Sequence, residues 1–374
     1  WSDGVIWLFL GGFFLAEGMK KTRLDMSVLK RVAPKFGTQT KYIALGFMMV
    51  TAVLSMVMSN TATTGMMLAT LAPLIKSRGR TRAQRVFLLG IPASAALGGM
   101  GTIIGSAPNA IVVGALESVG IKVSFIEWMA IGMPVALILT YLFWVLLIKK
   151  FGLENEQTDL EFLKTLNTDE KHPDDRAQKN ITLVIMGLTI FLWLTSQWTM
   201  IPVAAVSGIP IVGLTMLGVI DADDVRSLPW DTLMLVAGGL ALGMAVQEQG
   251  LIDYFVEKIS HYELNYYVLL VVFSFVTVTI SNFMSNTAAT TILLPVDISL
   301  MSISGNSHPV ILPLAIGLSA SCALLLPVST PPNAIAYSTG LLEQKDFRFG
   351  GYFIGGLGPV VIILWSLLVG QMIF

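Results

Sequence analysis

The sequence predicts an all-helical protein that crosses a membrane several times and consists of two related halves. Apolar residues make up 54% of the 374 positions and charged residues only 13%, with a mean hydropathy of +0.75. Soluble proteins average about 25% charged residues, so this deficit places most of the chain in a bilayer. Many of the apolar runs approach the roughly 20 residues that a helix needs to cross the hydrocarbon. Two of them contain the same tripeptide, Ser-Asn-Thr.

Composition also excludes several classes of partner and linkage. A net charge of −1 argues against a nucleic-acid partner, and the single cysteine, Cys322, rules out an intrachain disulfide. The chain opens almost directly into an apolar segment at Trp1, without the pattern of a cleavable signal. We therefore expect the sequence to begin partway through a longer protein.

The first half begins with an apolar segment, 4–19, followed by basic residues. The next run, 43–75, carries basic residues on both flanks. Under the positive-inside rule both of its ends face the cytoplasm, so the run should enter the membrane and return without crossing. This predicts a re-entrant helical hairpin with the tripeptide 59–61 at its tip.

The rest of the first half should cross the membrane twice. Run 86–120 crosses outward and is broken at 101–109, where glycine and proline interrupt helical hydrogen bonding. Run 128–148 then returns to a pair of lysines at its cytoplasmic end. The charged stretch 151–179 is predicted to be a cytoplasmic linker.

The second half repeats this plan from the opposite side. Its predicted segments are helices 181–200, 202–220 and 231–247, a hairpin 266–300 entered from outside, a crossing run 308–342 broken at 327–333, and helix 351–373. On this path only Lys122 and Lys258 of the 23 basic residues lie outside. An added or missing crossing would destroy that asymmetry.

The halves, 1–150 and 180–374, are therefore predicted to be inverted-topology repeats. Ser55 and the first tripeptide match Ser281 and the second at one constant offset, and Gly-Ser-Ala-Pro-Asn at 105–109 matches Ser-Thr-Pro-Pro-Asn at 329–333. The second half has two helices ahead of its matched region, so we expect N-terminal helices of the first repeat to be missing from this chain. Broken helices in inverted repeats are typical of secondary transporters.

The tips and breaks have the chemistry of an ion and anion site. Buried amides and hydroxyls are costly without partners. Serine, threonine and asparagine oxygens, with freed backbone carbonyls, suit sodium, while half-helix N-termini suit a carboxylate or sulfate. No lysine or arginine falls in a tip or break, so anion binding should depend on a co-bound cation, which would couple the two.

Other classes of function have weaker support. An enzyme would need a catalytic constellation, yet His172, His261 and His308 fall in loops or at segment ends. An anion channel remains a remote alternative. Asp297 and Glu17 could carry protons, although a paired or interface-facing carboxylate is the simpler interpretation.

The motifs resemble those of the divalent anion/sodium symporter family, and most closely its bacterial sodium-dicarboxylate symporters. The likeness rests on the two Ser-Asn-Thr tripeptides, on Gly-Thr-Ile-Ile-Gly-Ser-Ala-Pro-Asn (101–109) and on the segment 319–334, and it covers essentially the whole chain. It implies a multi-pass protein of the bacterial inner membrane. It also implies a homodimer in which a transport domain slides against a fixed scaffold, an elevator-type transporter.

The resemblance further implies a substrate and its ligands. The substrates would be C4 or C6 carboxylates such as succinate, malate, fumarate or citrate, imported with sodium at two or more sites; a sodium-sulfate symporter or dicarboxylate exchanger is the alternative. The implied sodium ligands are Ser55, Ser59, Asn60 and Gly105 at one site and Ser281, Asn286 and Ser329 at the other. The implied substrate ligands are Asn60, Thr61, Ser106, Asn286, Thr287 and Pro331.

Overall fold

A computed structural model consists of helices and connecting turns in the residues that it describes. These residues are 3–75, 81–157, 173–249, 265–304 and 309–373. No strand forms within those ranges, where Gln39 and Gln157 make an isolated bridge. The predicted all-helical class is therefore confirmed. The three histidines and Lys258, which entered the predictions above, lie outside the described residues.

The first predicted hairpin run contains two helices separated by a turn. The opening helices are α1 (Gly4–Lys21), α2 (Leu24–Val32), α3 (Thr40–Leu54), α4 (Asn60–Thr70) and α5 (Ala72–Ile75). The turn between α3 and α4 covers 55–59, so the tripeptide lies at the start of the second helix. Ser59 caps α4, because its side chain accepts a hydrogen bond from Ala62 N at 3.2 Å.

The first broken helix is interrupted slightly earlier than the sequence predicts. Helix α6 (Arg82–Gly98) is followed by the 3₁₀ turns Gly99–Gly101 and Ile103–Gly105, and then by α7 (Ala107–Ser118) and α8 (Phe125–Phe151). The break therefore covers 99–106, and Asn109 belongs to α7. Close packing explains the glycine at the end of α6, since a Cβ on Gly98 would lie 2.3 Å from Ala52 O in α3.

The second half opens with a long helix and several short ones. These are α9 (Pro173–Leu194), α10 (Ser196–Thr199), α11 (Val203–Val206), α12 (Gly208–Met216), α13 (Ala222–Ser227) and α14 (Trp230–Glu248). Helix α9 begins at Pro173, inside the stretch expected to be a linker. Proline suits the first helical turn because its missing N–H would have no partner there.

The second tripeptide also starts a helix. The last elements are α15 (Tyr266–Ser281), α16 (Asn286–Ser304), α17 (Ile311–Ala320), α18 (Pro331–Tyr337) and α19 (Gln344–Ile373). The second break thus covers 321–330, again earlier than the predicted 327–333. The proline at the start of α18 explains why the break ends at 330, because proline favours the first turn of a helix over its interior.

Two buried helices form the centre of the molecule and position the breaks. Every residue of α17 is buried, as is nearly every residue of α6. Helix α18 packs against α6 and α4, and α16 packs against α7 as well as α17. Elements of the two halves therefore interlock around the breaks.

Three described helices are long and apolar enough to cross a membrane. They are Phe125–Phe151, Arg176–Leu194 and Gln344–Gly370. Large apolar side chains on the last two, such as Phe191 and Leu364, are about 60% exposed (59% and 64%). Such exposed apolar surface fits contact with lipid.

A polar cavity between the two halves

The two tripeptides and both helix breaks line one cavity. Its volume is about 800 Å³. The tripeptides and breaks contribute these lining residues: Ser59, Asn60, Thr61, Gly105, Ser106, Ser285, Asn286, Thr287, Ser329 and Thr330. The two tripeptides lie more than 200 positions apart in the chain, so the fold alone brings them together.

Most of the implied ligands line this cavity, but two lie behind it. All six implied substrate ligands, including Pro331, are in the lining, as are five of the implied sodium ligands. Ser55 and Ser281 are fully buried and do not line the cavity. Ser55 directly follows α3 and Ser281 is the last residue of α15, so both lie one turn before the tips.

The first tip contains a close cluster of oxygen atoms. Ser55 Oγ lies 2.7 Å from Asn60 Oδ1 and 2.8 Å from Ala95 O, and its single proton must serve both acceptors. A Cβ placed on Gly99 would be 2.7 Å from Asn60 Oδ1 and 3.0 Å from Gly105 O, so the amide and carbonyl oxygens flank the same glycine. The Asn60 amide nitrogen is also near, 3.1 Å from the same Cβ position, and an oxygen-rich pocket of this kind fits a small hard cation.

The first break is held open by side chains that bind its backbone. Asn109 Nδ2 donates to Gly99 O at 2.8 Å and to Thr102 O at 2.7 Å. Trp128 Nε1 donates to Met100 O at 2.9 Å, and the Thr102 hydroxyl donates to Met56 O. These bonds replace the helical ones that the break removes.

The second break uses an asparagine in the equivalent way. Asn333 Nδ2 donates to Leu326 O at 3.2 Å and to Ser329 Oγ at 3.4 Å. Ser329 Oγ also lies 2.8 Å from Leu326 O. Asn109 and Asn333, the last residues of the two matched motifs, therefore both tie a broken backbone to the helix that follows it.

The second tip leaves polar atoms without partners. Ser285 caps α16 by accepting from Ala288 N at 3.1 Å. Ser281 Oγ and Asn286 Oδ1, however, are buried and have no hydrogen-bond partner among the described residues. Buried polar atoms of this kind are costly unless a ligand satisfies them. These two oxygens fit a sodium site.

Several long helices begin at the cavity wall, among them α4, α7 and α16 beside the tripeptides and the first break. The hydroxyl of Ser106, the residue before α7, makes no capping bond. Free N–H groups and the helix dipole give each N-terminus partial positive charge. The arrangement can bind an anion with more than one carboxylate.

Charged residues also line the cavity; of these the sequence singled out only Glu17, as a candidate proton carrier, and Lys20 and Asp231 were missed. Glu17 and Lys20 of α1 and Asp231 of α14 belong to the lining, and Lys20 Nζ lies 2.9 Å from Glu17 Oε1. The signal available in the sequence was the basic flank of segment 4–19, which indicated only membrane orientation. Glu17 is thus a paired carboxylate, as the simpler interpretation expected.

Asp297, the other candidate carboxylate, is fully buried in α16. Neither of its oxygens has a hydrogen-bond partner among the described residues. It does not belong to the lining of the cavity. Within the described part of the chain, no three His, Cys, Asp or Glu residues converge as metal ligands.

Comparison with known proteins identifies sodium-dependent dicarboxylate transporters as relatives. The chain is 31% identical to the sodium-dependent dicarboxylate transporter SdcS of Staphylococcus saprophyticus, over 97% of this chain and 76% of that protein. The identity to SdcS of Staphylococcus aureus strain USA300 is 28% over the same shares.

A solved structure shares the fold at lower identity. It is Neisseria gonorrhoeae MtrF, described as illuminating a class of antimetabolite efflux pumps, with a TM-score of 0.63 and 13% identity over 97% of this chain and 79% of that one.

The family model described as citrate transporter matches residues 2–317. The chain therefore belongs to the citrate transporter family, as a multi-pass membrane transport protein rather than an enzyme.

Proposed function

We propose that the protein imports C4 or C6 di- and tricarboxylates, such as succinate, malate, fumarate and citrate, together with sodium ions. One observation carries this proposal: both Ser-Asn-Thr segments and both helix breaks line a single cavity. The sodium dependence named for its SdcS relatives supports the choice of cation.

The proposed sodium sites lie behind each tip. The first uses Ser55, Ser59, Asn60 and Gly105, and its support is the oxygen cluster around Ser55. The second uses Ser281, Asn286 and Ser329, and its support is the pair of unpartnered oxygens in α15 and α16. Binding a cation would satisfy atoms that the protein leaves short of donors or partners.

The proposed substrate site lies between the tips. Its ligands are Asn60, Thr61, Ser106, Asn286, Thr287 and Pro331. The N-termini of α4, α7 and α16 would stabilise the carboxylates. Because Asn60 and Asn286 belong to both kinds of site, a bound sodium ion would orient each amide for the anion. Loss of the cation would then weaken anion binding, which couples the two fluxes.

We propose that the transport cycle depends on the two inverted repeats. The matched roles of Asn109 and Asn333 support inverted repeats over 1–150 and 180–374. Helices α4, α6 and α18, which pack together, and α16, which packs against α7 and α17, would move as one transport domain, like an elevator, against a scaffold held in a homodimer.

Uptake into proteoliposomes tests the function. An inward sodium gradient should drive accumulation of labelled succinate, while an equal potassium gradient should not. Excess sulfate tests for a sulfate symporter, because sulfate would compete with labelled succinate and block its uptake if sulfate were the substrate. Preloading vesicles with unlabelled succinate distinguishes an exchanger, and unitary conductance in a planar bilayer would reveal a channel. Uptake that is indifferent to sodium would refute the proposal.

A further inference from the structure

We propose that the protein carries a binding site for an anionic phospholipid at the cytoplasmic ends of α6, α8 and α19. The site is a basic cluster with one buried acid. Its basic members are Arg82, Arg85, Lys149, Lys150 and Arg348. The cluster is separate from the transport cavity, since none of these residues lines it.

Side-chain contacts show that the three helix ends converge. Arg85 Nη1 of α6 lies 4.0 Å from Asp346 Oδ1 of α19. Lys150 Nζ of α8 lies 3.6 Å from the ring centroid of Phe349 in α19, a cation–π distance. A Cβ on Gly152, just after α8, would lie 3.7 Å from Nη1 of Arg82.

Positive charge exceeds negative charge in the cluster. Five basic side chains make up the cluster, and the one acid, Asp346, lies 4.0 Å from Arg85 and already accepts a hydrogen bond on Oδ2 from Glu343 N at 2.8 Å. Arg82, Lys149 and Arg348 are exposed and have no ion pair within the described part of the chain. A phosphate group would satisfy these cations better than water alone, because arginine and lysine donate charge-assisted bonds to its oxygens.

The position of the cluster favours a membrane lipid over a soluble anion. Helices α8 and α19 are both long and apolar enough to span the bilayer, and here one ends where the other begins. The cluster thus lies at the membrane surface. Basic pockets between transmembrane helices on the cytoplasmic side commonly bind lipid head groups.

An apolar stripe extends from the cluster along α19 and could hold the acyl chains. Its members recur three to eight positions apart, hence on one helix face. They are Phe349, Tyr352, Val360, Leu364 and Leu368, each at least 39% exposed. Aromatic residues at the head-group end of such a stripe are typical of lipid interfaces. The head group and the acyl chains therefore each find a complementary surface.

Native mass spectrometry of the full chain in neutral detergent tests the site. Phosphatidylglycerol and phosphatidylcholine are added at equal concentration, and retained lipid is counted. The test variant is Lys150→Gln with Arg348→Gln. The matched control is Arg31→Gln with Lys35→Gln, which removes the same charge from exposed positions near the end of α2. A further arm adds inorganic phosphate as competitor.

We expect the parent protein to retain phosphatidylglycerol in preference to phosphatidylcholine. The test variant should lose retention by roughly fivefold for each charge removed, and the control variant should not. Inorganic phosphate should fail to displace the lipid. The proposal would be overturned if the parent protein retained both lipids equally. It would also be overturned if the test variant retained as much phosphatidylglycerol as the parent protein, or if inorganic phosphate displaced the lipid. The parent protein's lipid preference and the phosphate arm decide the outcome even if the test variant does not fold.

Discussion

Ser55 Oγ and Asn60 Oδ1 are joined by a hydrogen bond of 2.7 Å across the first helix junction. The equivalent atoms of the second half, Ser281 Oγ and Asn286 Oδ1, are buried without partners in the described residues. The same residue types at the same spacing therefore differ in hydrogen bonding. Mutations in the two halves should consequently affect stability differently, although both should impair transport.

Alanine at either asparagine should abolish sodium-driven uptake, because each amide is proposed to serve both a cation and the anion. Asn60→Ala should also lower the free energy of unfolding, by no more than about 1 kcal/mol, since the Ser55 hydroxyl loses one of two acceptors and keeps Ala95 O. Asn286→Ala should leave stability nearly unchanged. Proteoliposome uptake and thermal unfolding in detergent measure the two effects. Normal uptake by either variant would contradict its assigned role.

Ser281→Ala should raise the sodium concentration needed for half-maximal uptake, by roughly fivefold to tenfold, because one cation ligand is lost. Stability should not fall, since the hydroxyl has no partner to lose. Ser366→Ala is the matched control: that hydroxyl is also buried and unpartnered among the described residues, but lies on α19 away from the cavity. A parallel change in both variants would rule out a specific sodium role.

Thr287→Val should weaken succinate binding by roughly fivefold to tenfold, because Thr287 lines the cavity and its hydroxyl is a proposed carboxylate ligand. Sodium binding should be retained, since the proposed sodium ligands remain. Thr279→Val serves as control, because its hydroxyl bonds Phe275 O on an exposed part of α15. Competition by succinate and by sodium, measured separately, distinguishes the two affinities. Unchanged affinity for succinate would argue against the assignment.

Gly98→Ala should destabilise the protein, because the new Cβ would lie 2.3 Å from Ala52 O and force α3 from α6. Overpacking of this kind costs about 1–3 kcal/mol. Gly356→Ala is the control, since a Cβ there meets nothing within 4 Å. Chemical unfolding in detergent should show a loss for the first variant only. Equal stability of both variants would contradict a tight contact between α3 and α6.

The ion pair between α1 and α13 predicts a small acid-dependent loss of stability. The Lys21 ammonium, 2.7 Å from Asp221, lowers the pKa of that carboxyl from 3.8 to about 2. A lowered pKa contributes stability above the unfolded value and loses it as the pH falls from near 4 to about 2. The carboxyl is exposed, so the contribution is modest.

The test compares thermal unfolding of the parent protein and Lys21→Gln between pH 5 and pH 2. Lys21→Gln should lack the part of the acid transition that the pair contributes. Lys35→Gln, at an exposed lysine three residues after the end of α2, provides the control. Identical pH profiles for the parent protein and Lys21→Gln would show that the pair does not affect stability.

Local sequence signals predicted the helices better than the breaks. The apolar runs and the proline and glycine clusters predicted α6, α7 and α8 and the interruption between them. The interruption begins at Gly99 rather than Gly101 because the neighbouring glycines are needed for contact with Ala52 and Asn60. That need arises from α3 and the first tip, so no local pattern reveals it.

By itself the sequence determined the helical membrane class, the family, and the polar residue types available for a site. Hydrophobic periodicity and turn chemistry are local properties, so they can be recognised in the sequence itself. Only the tertiary structure decided that Ser59 faces the cavity while Ser55 lies behind it, that Lys20 joins the lining, and that α18 packs against α4. These outcomes depend on packing between residues far apart in sequence, which fixes the direction of each side chain.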